Sequence, residues 1–330
     1  MTDQSPWLSR TIEDAIEPDL LICDPHHHLW DYPDSRYLLD EFLLDIDAGH
    51  RVTKTVFVEC LQMYRSDGPK ELAPVGETEF VERISAECQT RVAAGIVGFA
   101  DLTLGSAVQP VLEEHQQASE RFRGIRFASA WDQSEQIRDA HTKPSRDVLQ
   151  DPVFREGLAC LSESGLSFDA WLYHPQIPEL ADLARAFPDL TIVLNHIGGP
   201  LGIGPYAGKR DEVFALWSGN IAELATCENV FVKMGGLTMT MSGFGWHKRD
   251  VPPGSIELSE AMAPYYQSCI DSFGVEHCMF ESNFPVDRSS CSYTVLWNAF
   301  KRLTQDYSPA ERSALFYDTA ARVYRLDSVQ

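Results

Sequence analysis

The sequence predicts an α/β fold, a single-domain (β/α)8 TIM barrel. Three observations carry that expectation. Eight short apolar runs rich in Val, Ile and Phe recur along the chain, and amphipathic stretches separate them. The first strand-to-helix turn, Asp24-Pro-His-His-His-Leu-Trp-Asp31, also lacks the glycine-rich phosphate fingerprint of an open, doubly wound sheet. Strands alternating with helices imply a parallel sheet, because parallel neighbours need a crossover connection. Eight such units in about 300 residues have the number and size of a closed barrel.

The runs are Leu20–His28, Thr53–Tyr64, Arg91–Leu102, Phe122–Ala130, Leu166–Tyr173, Leu190–Ile197, Val230–Leu237 and His277–Phe284. Between them, 77–91, 110–122, 178–188 and 211–227 place apolar residues three and four apart, the period of a helix. Residues 1–19 read as an N-terminal arm ahead of a barrel spanning 20–330, with 310–326 as a final docking helix. No Ser/Gly linker, charge block or low-complexity tract divides the chain.

The 330 residues are 44% hydrophobic and 23% charged, ordinary globular usage that excludes disordered and fibrous classes. With 49 acidic against 27 basic residues the net charge is −22. That balance excludes nucleic acid and anionic membrane surfaces as partners, since both select clustered Lys and Arg. A small-molecule substrate remains, and the oligomeric state, a homo-oligomer included, stays open. No 18-residue apolar window and no apolar signal core appear, so the expected location is the cytoplasm. Eight cysteines without a CxxC pair read as reduced thiols.

In a parallel barrel, chemistry concentrates at the C-terminal ends of strands. The first run ends in three histidines. Alternation puts Asp24, His26 and His28 on one face and His27 on the other, so two imidazoles converge on one metal ion or one substrate oxygen. The sixth ends Asn195-His196-Ile197-Gly198-Gly199-Pro200, where the glycines let backbone pass close to a ligand. The eighth carries Glu281, Asn283 and Asp287, which suit a ligand, a proton carrier or an ordinary capped loop. The fourth offers Arg123 and Arg126, either to bind a substrate carboxylate or to pair with an acid. Tyr173, His174, Lys233 and His247 are further pocket candidates. No GxSxG, HExxH, P-loop or EF-hand spacing is present.

Together these residues resemble the amidohydrolase superfamily, in its amidohydrolase-2 branch of predicted metal-dependent TIM-barrel hydrolases. That branch includes 2-pyrone-4,6-dicarboxylate lactonase, 4-sulfomuconolactone hydrolase and sugar-acid lactonases. The resemblance covers nearly the whole chain. It rests on Asp24-x-His26-x-His28-Leu29-Trp30, on Arg123-Gly-Ile-Arg126, on Phe168–Gln176, on Asn195–Pro200 and on Ser282–Pro285. It implies that His26, His28 and His196 surround the reacting carbonyl, that Arg126 holds a carboxylate or oxyanion, and that Tyr173 and Trp30 line the pocket. Two departures stand out. The family's strand-8 aspartate, a metal ligand and base, appears as Asn283, so Glu281, Asp287 or a histidine takes the base role. The second arginine of dicarboxylate lactonases is missing from Ser129-Ala-Trp-Asp132.

The expected activity is hydrolysis of a lactone or related cyclic ester by an activated water. The alternatives are a non-oxidative decarboxylase of the same superfamily and a catalytically inactive ligand-binding barrel. His26 and His28 are the expected metal ligands. The expected cofactor is Zn²⁺ or another divalent cation, weakly held or absent, with no organic cofactor. The expected substrate has at most one carboxylate, held by Arg126.

Overall fold

The structure, a computed structural model, describes residues 6–88 and 91–326. Eight parallel strands form one sheet in chain order. They are β1 (Leu21–His27), β2 (Arg51–Val58), β3 (Gly95–Gly98), β4 (Phe122–Ala128), β5 (Ser167–Trp171), β6 (Ile192–Leu194), β7 (Val230–Met234) and β8 (Cys278–Phe280). A parallel bridge between His27 and Phe284 brings β8 back to β1, supported by the Asn283 N–H on the His26 carbonyl at 2.9 Å. The fold is a (β/α)8 barrel; seven of the strands fall inside their apolar runs, and β2 begins at Arg51, two residues before its run.

Each strand is followed by a helix: α1 (Leu39–Ile46), α2 (Val75–Glu87), α3 (Gln109–Ala118), α4 (Pro152–Glu163), α5 (Ile177–Ala186), α6 (Arg210–Leu224), α7 (Ser255–Phe273) and α8 (Tyr293–Leu303). Local chemistry sets their starts. Asp151 caps α4 by accepting from the Val153 N–H, with Pro152 at the first helical position where its missing N–H costs nothing. Ser292 caps α8 in the same way. A two-stranded hairpin, Trp30–Tyr32 with Ser35–Tyr37, follows β1, and the sequence reading did not anticipate it.

Burial sorts into two layers. Ile22, Phe57, Ile96, Phe168 and Ile192 pack outward against the helices, while Cys23, Val56, Val97, Val193 and Met279 pack into the barrel. The inner layer is completed by Tyr317, Ala320, Val323, Tyr324 and Leu326. These belong to a continuous C-terminal segment, Pro309–Ser313, a π-helical turn Ala314–Asp318, and Thr319–Val323. It packs beside Ala94 and the start of β4, where Arg123 donates to the Tyr324 carbonyl at 2.7 Å, and so plugs the N-terminal end. The opposite end, at the strand C-termini, is left for the site.

Residues 6–19 run along α7 and α8: Thr11 donates to the Pro252 carbonyl, and Lys301 donates to the carbonyls of Ile16 and Glu17. All eight cysteines are unpaired. Among the described residues no helix is long and apolar enough to cross a membrane.

Candidate active site

Register at β1 decides which of its polar residues reach the site. Cys23 and Asp24 pair with Lys54 and Thr55, but His27 pairs with Phe57, so three residues of β1 span two of β2. This bulge reverses the alternation. His26 and His28 point into the barrel mouth as a pair and His27 points out, where it stacks on Phe42 at 4.1 Å. Asp24 does not share their face. Its carboxylate takes the Tyr293 hydroxyl of α8 at 3.0 Å and the Ser282 N–H at 2.9 Å, which corrects the expected three-residue face.

At the centre stands Glu281, directly after β8. Its Oε1 lies 2.6 Å from His196 Nδ1 and accepts the His196 backbone N–H at 3.1 Å. Its Oε2 lies 2.7 Å from His26 Nδ1, without the alignment of a hydrogen bond. Two glycines make room. A Cβ on Gly235 would sit 2.3 Å from Glu281 Cγ, and one on Gly236 would sit 2.6 Å from His196 Cβ. His196 itself is held at φ 54, followed by Ile197 at φ 50 and two left-handed glycines. Left-handed geometry costs a non-glycine residue about 1–2 kcal/mol, and here it turns the imidazole over Glu281. Trp171, at the end of β5, closes the other side of His196 edge-on at 4.8 Å.

Cations flank this group. Arg126 of β4 brings Nη1 to 3.4 Å from His26 Nε2, while its Nε donates to Glu59 Oε1 at 2.8 Å and its Nη2 donates to the Glu59 carbonyl. Lys233 of β7 lies 3.5 Å from His26 Nδ1 and is paired with Asp169 of β5 at 2.8 Å. Asp169 also accepts from Asn195 and from the Tyr324 hydroxyl of the C-terminal plug. Burial lowers His26 and His196 well below the ordinary imidazole value, with the charges of Lys233 and Arg126 acting in the same direction. Burial pushes Glu281 up to about 8, against the pull of Lys233.

The remaining predicted residues lie around or outside this centre. His28 donates from Nδ1 to the Val58 carbonyl at 2.7 Å, which leaves Nε2 as its free lone pair, and Trp30 stacks on it at 6.0 Å. Among the described residues the group of three donors within 4.8 Å of one another is His26, His196 and Glu281, and the His28 ring lies 4.9 Å from that of His26. Asn283 follows β8 by three residues, its N–H bonded to the His26 carbonyl. It sits in a left-handed turn, buried, with its side chain beside Asp287. Asp287 accepts from the Gly236 N–H at 3.2 Å, behind the site. Lys233 is fully buried in its ion pair with Asp169, 3.5 Å from His26. Tyr173 turns to the Arg138 carbonyl, and His174 takes the Leu201 N–H on Nδ1 and packs against Tyr206. His247 lies half-buried in the turn Trp246–Lys248. Arg123 lies at the plugged end.

Glu59, Asp169, Trp171 and His141 were not anticipated. Glu59 had a usable signal, an acid that ends the apolar run Val56-Phe-Val58 at a strand terminus. His141, 3.4 Å from Glu59 Oε1, comes from the β4–α4 loop and carried none.

Residues 23–326 match the model of the amidohydrolase family. The chain belongs to the amidohydrolase family. This amidohydrolase is 34% identical over 336 residues to the uncharacterized protein y4mH of Sinorhizobium fredii, covering 93% of this chain and 99% of that one. It is 26% identical over 285 residues to an L-fucono-1,5-lactonase of Burkholderia ambifaria, covering 80% and 87% of the two chains. An amidohydrolase from Burkholderia multivorans, solved with bound zinc, superposes with a TM-score of 0.72 at 23% identity, over 93% of this chain and 100% of that one. The amidohydrolase described here is an enzyme of the hydrolase type.

Proposed function

We propose that this amidohydrolase opens a lactone by hydrolysis at the His26–His196–Glu281 centre. The observation that carries the reading is the bond of His196 Nδ1 to Glu281 Oε1. In its ionised form, which burial makes the less favoured one below about pH 8, the Glu281 carboxylate on Nδ1 fixes the neutral ring with its proton there and leaves Nε2 as a base, the logic of a carboxylate–histidine pair.

In the proposed step a water oxygen bonds to the lactone carbonyl carbon, and His196 Nε2 takes one water proton. The imidazolium is stabilised by Glu281 across Nδ1. Arg126 Nη1, the end of the guanidinium not held by Glu59, donates to the oxyanion that develops on the carbonyl oxygen. The tetrahedral intermediate then breaks the ring C–O bond, and the leaving alkoxide receives the proton from His196. Burial of His26, His196 and Glu281 keeps bulk water from screening these interactions.

The same side chains fit a divalent cation. Two imidazoles and a carboxylate are the donor types of a catalytic zinc site, and Glu281 Oε2 is buried without an aligned hydrogen bond. Bound by His26, His196 and Glu281, such an ion would polarise the carbonyl and lower the pKa of its water. Arg126 and Lys233, each within 3.5 Å of His26, oppose tight binding. Relatives named as sugar-acid lactonases support the lactone reading.

The test assays purified protein against five- and six-membered lactones and against aromatic carboxylic acids, following acid release and CO₂ together. Acid release without CO₂ is the expected result. CO₂ release would assign a decarboxylase instead, and binding without turnover an inactive barrel.

A further inference from the structure

Glu59 follows the last residue of β2 and is buried. Its Oε1 and its backbone carbonyl together occupy the Nε/Nη2 edge of Arg126. A guanidinium grips a carboxylate in two parallel bonds through this edge or through Nη1 and Nη2, and Nη2, common to both, is already bonded to the Glu59 carbonyl. A substrate carboxylate approaching the remaining Nη1 end would meet the Glu59 charge that already neutralises the guanidinium. The other buried cation of the site offers no substitute, because Lys233 is fully buried and paired with Asp169 at 2.8 Å. The expectation that Arg126 clamps a substrate carboxylate therefore does not fit this geometry.

The second oxygen of the same carboxylate points to what does fit. Glu59 Oε2 is buried and has no hydrogen-bond partner; His141 brings its Nε2 to 3.4 Å from the other oxygen, Oε1, and makes no aligned hydrogen bond there. A buried acceptor without a donor is costly in a fold, and a charged one more so. A ligand hydroxyl would complete it. We infer that Glu59 sets the substrate class: Oε2 receives a ring or side-chain hydroxyl, so the lactone taken is hydroxylated and uncharged rather than carboxylated. This rests on the lactone reading of the His26–His196–Glu281 centre.

A site built around a buried acceptor rejects an analogue that lacks the donor, since the acceptor is then left dry and unpaired. The test compares kcat/KM of wild type and Glu59→Gln on three probes: a neutral polyhydroxylated lactone, its deoxy counterparts lacking one hydroxyl at a time, and a lactone bearing a carboxylate. Wild type should favour the hydroxylated lactone over at least one deoxy counterpart by about 10- to 100-fold, the range of a hydrogen bond to a charged group. Its turnover of the carboxylated lactone should be lower still. In Glu59→Gln the hydroxyl preference should shrink several-fold. Equal losses on all probes, leaving the ratio unchanged, would show that Glu59 only props Arg126 and would overturn the inference. Wild-type turnover of the carboxylated lactone at the hydroxylated rate would overturn it as well.

If Glu59→Gln does not fold, the wild-type ratios decide alone, and no discrimination overturns it. If wild type turns over no lactone, calorimetric titration with the hydroxylated and carboxylated probes separates the two claims. Preference for the hydroxylated ring upholds the role of Glu59 while lactone hydrolysis falls. Equal binding, or none, overturns the role too.

Discussion

His196 meets Glu281 at two points, through Nδ1 at 2.6 Å and through its backbone N–H at 3.1 Å, both on the same carboxylate oxygen. Ring and backbone are thereby fixed together, which is what a left-handed residue under strain requires of its surroundings. The carboxylate comes from position 281, two residues before Asn283, where the family resemblance locates an aspartate. Glu281 still follows β8 directly, whereas Asn283 has entered a left-handed turn with its side chain beside Asp287.

Restoring an acid at 283 should therefore not help. Asn283 is buried beside Asp287, whose carboxyl burial already pushes well above its ordinary value. Asn283→Asp adds a second buried carboxyl next to the first and should lower stability by about 1–3 kcal/mol without raising kcat. Urea unfolding and lactone turnover check this, and a faster enzyme of unchanged stability would be the opposite outcome.

Gly236 is needed for the shape of the centre rather than for flexibility. With φ at 71° and a virtual Cβ 2.6 Å from His196 Cβ, Gly236→Ala must displace the imidazole. A shift near 1 Å at a catalytic group costs about 10²-fold in rate, so kcat should fall by roughly that factor. Steady-state kinetics decide, and wild-type kcat would mean that His196 tolerates displacement.

Metal should bind weakly. Three donors of the right type converge, but two cations lie within 3.5 Å of His26. Protein freed of loose ions by gel filtration should carry less than one equivalent of Zn²⁺, and titration should show one weak site that His196→Ala abolishes. Stoichiometric metal that resists a chelator would contradict this.

His115 provides a pH test away from the site. Its Nδ1 lies 2.8 Å from Thr78 Oγ1 and its Nε2 3.0 Å from the Phe99 carbonyl, and burial lowers it to about 4. The folded protein keeps it neutral, while the unfolded chain protonates it near pH 6.5. Its contribution is thus present above that value and lost as pH falls toward 4. The stability advantage of wild type over His115→Gln should shrink by about 2 kcal/mol between pH 7 and pH 5. A constant difference would be inconsistent with a buried neutral His115.

The strands were legible because a barrel strand, covered on both faces, reads as an apolar run, and the histidines because they interrupt such runs at their C-terminal ends. Strand ends were read too long. Apolar residues continue past β2 and β7 into loops that are also buried, as at Cys60 and Leu237. Asp24 was misplaced because a bulge leaves no mark on strict alternation. Glu59 and Asp169 escaped notice because each acts through a cation, Arg126 or Lys233, from a distant strand, and such pairing is a property of the closed barrel. Tyr173 and His174 sit at a strand end in sequence yet turn toward the β4 and β6 loops, which no periodicity reveals.

The most direct measurement is hydrolysis of a neutral hydroxylated lactone in H₂¹⁸O by wild type and Glu281→Gln. Wild type should place one ¹⁸O in the product carboxylate and release no CO₂. Glu281→Gln should lower kcat by about 10²–10⁴, the range for a proton-transfer pair, while keeping its melting temperature. Label in the hydroxyl rather than the carboxylate, or wild-type kcat in Glu281→Gln, would contradict the account.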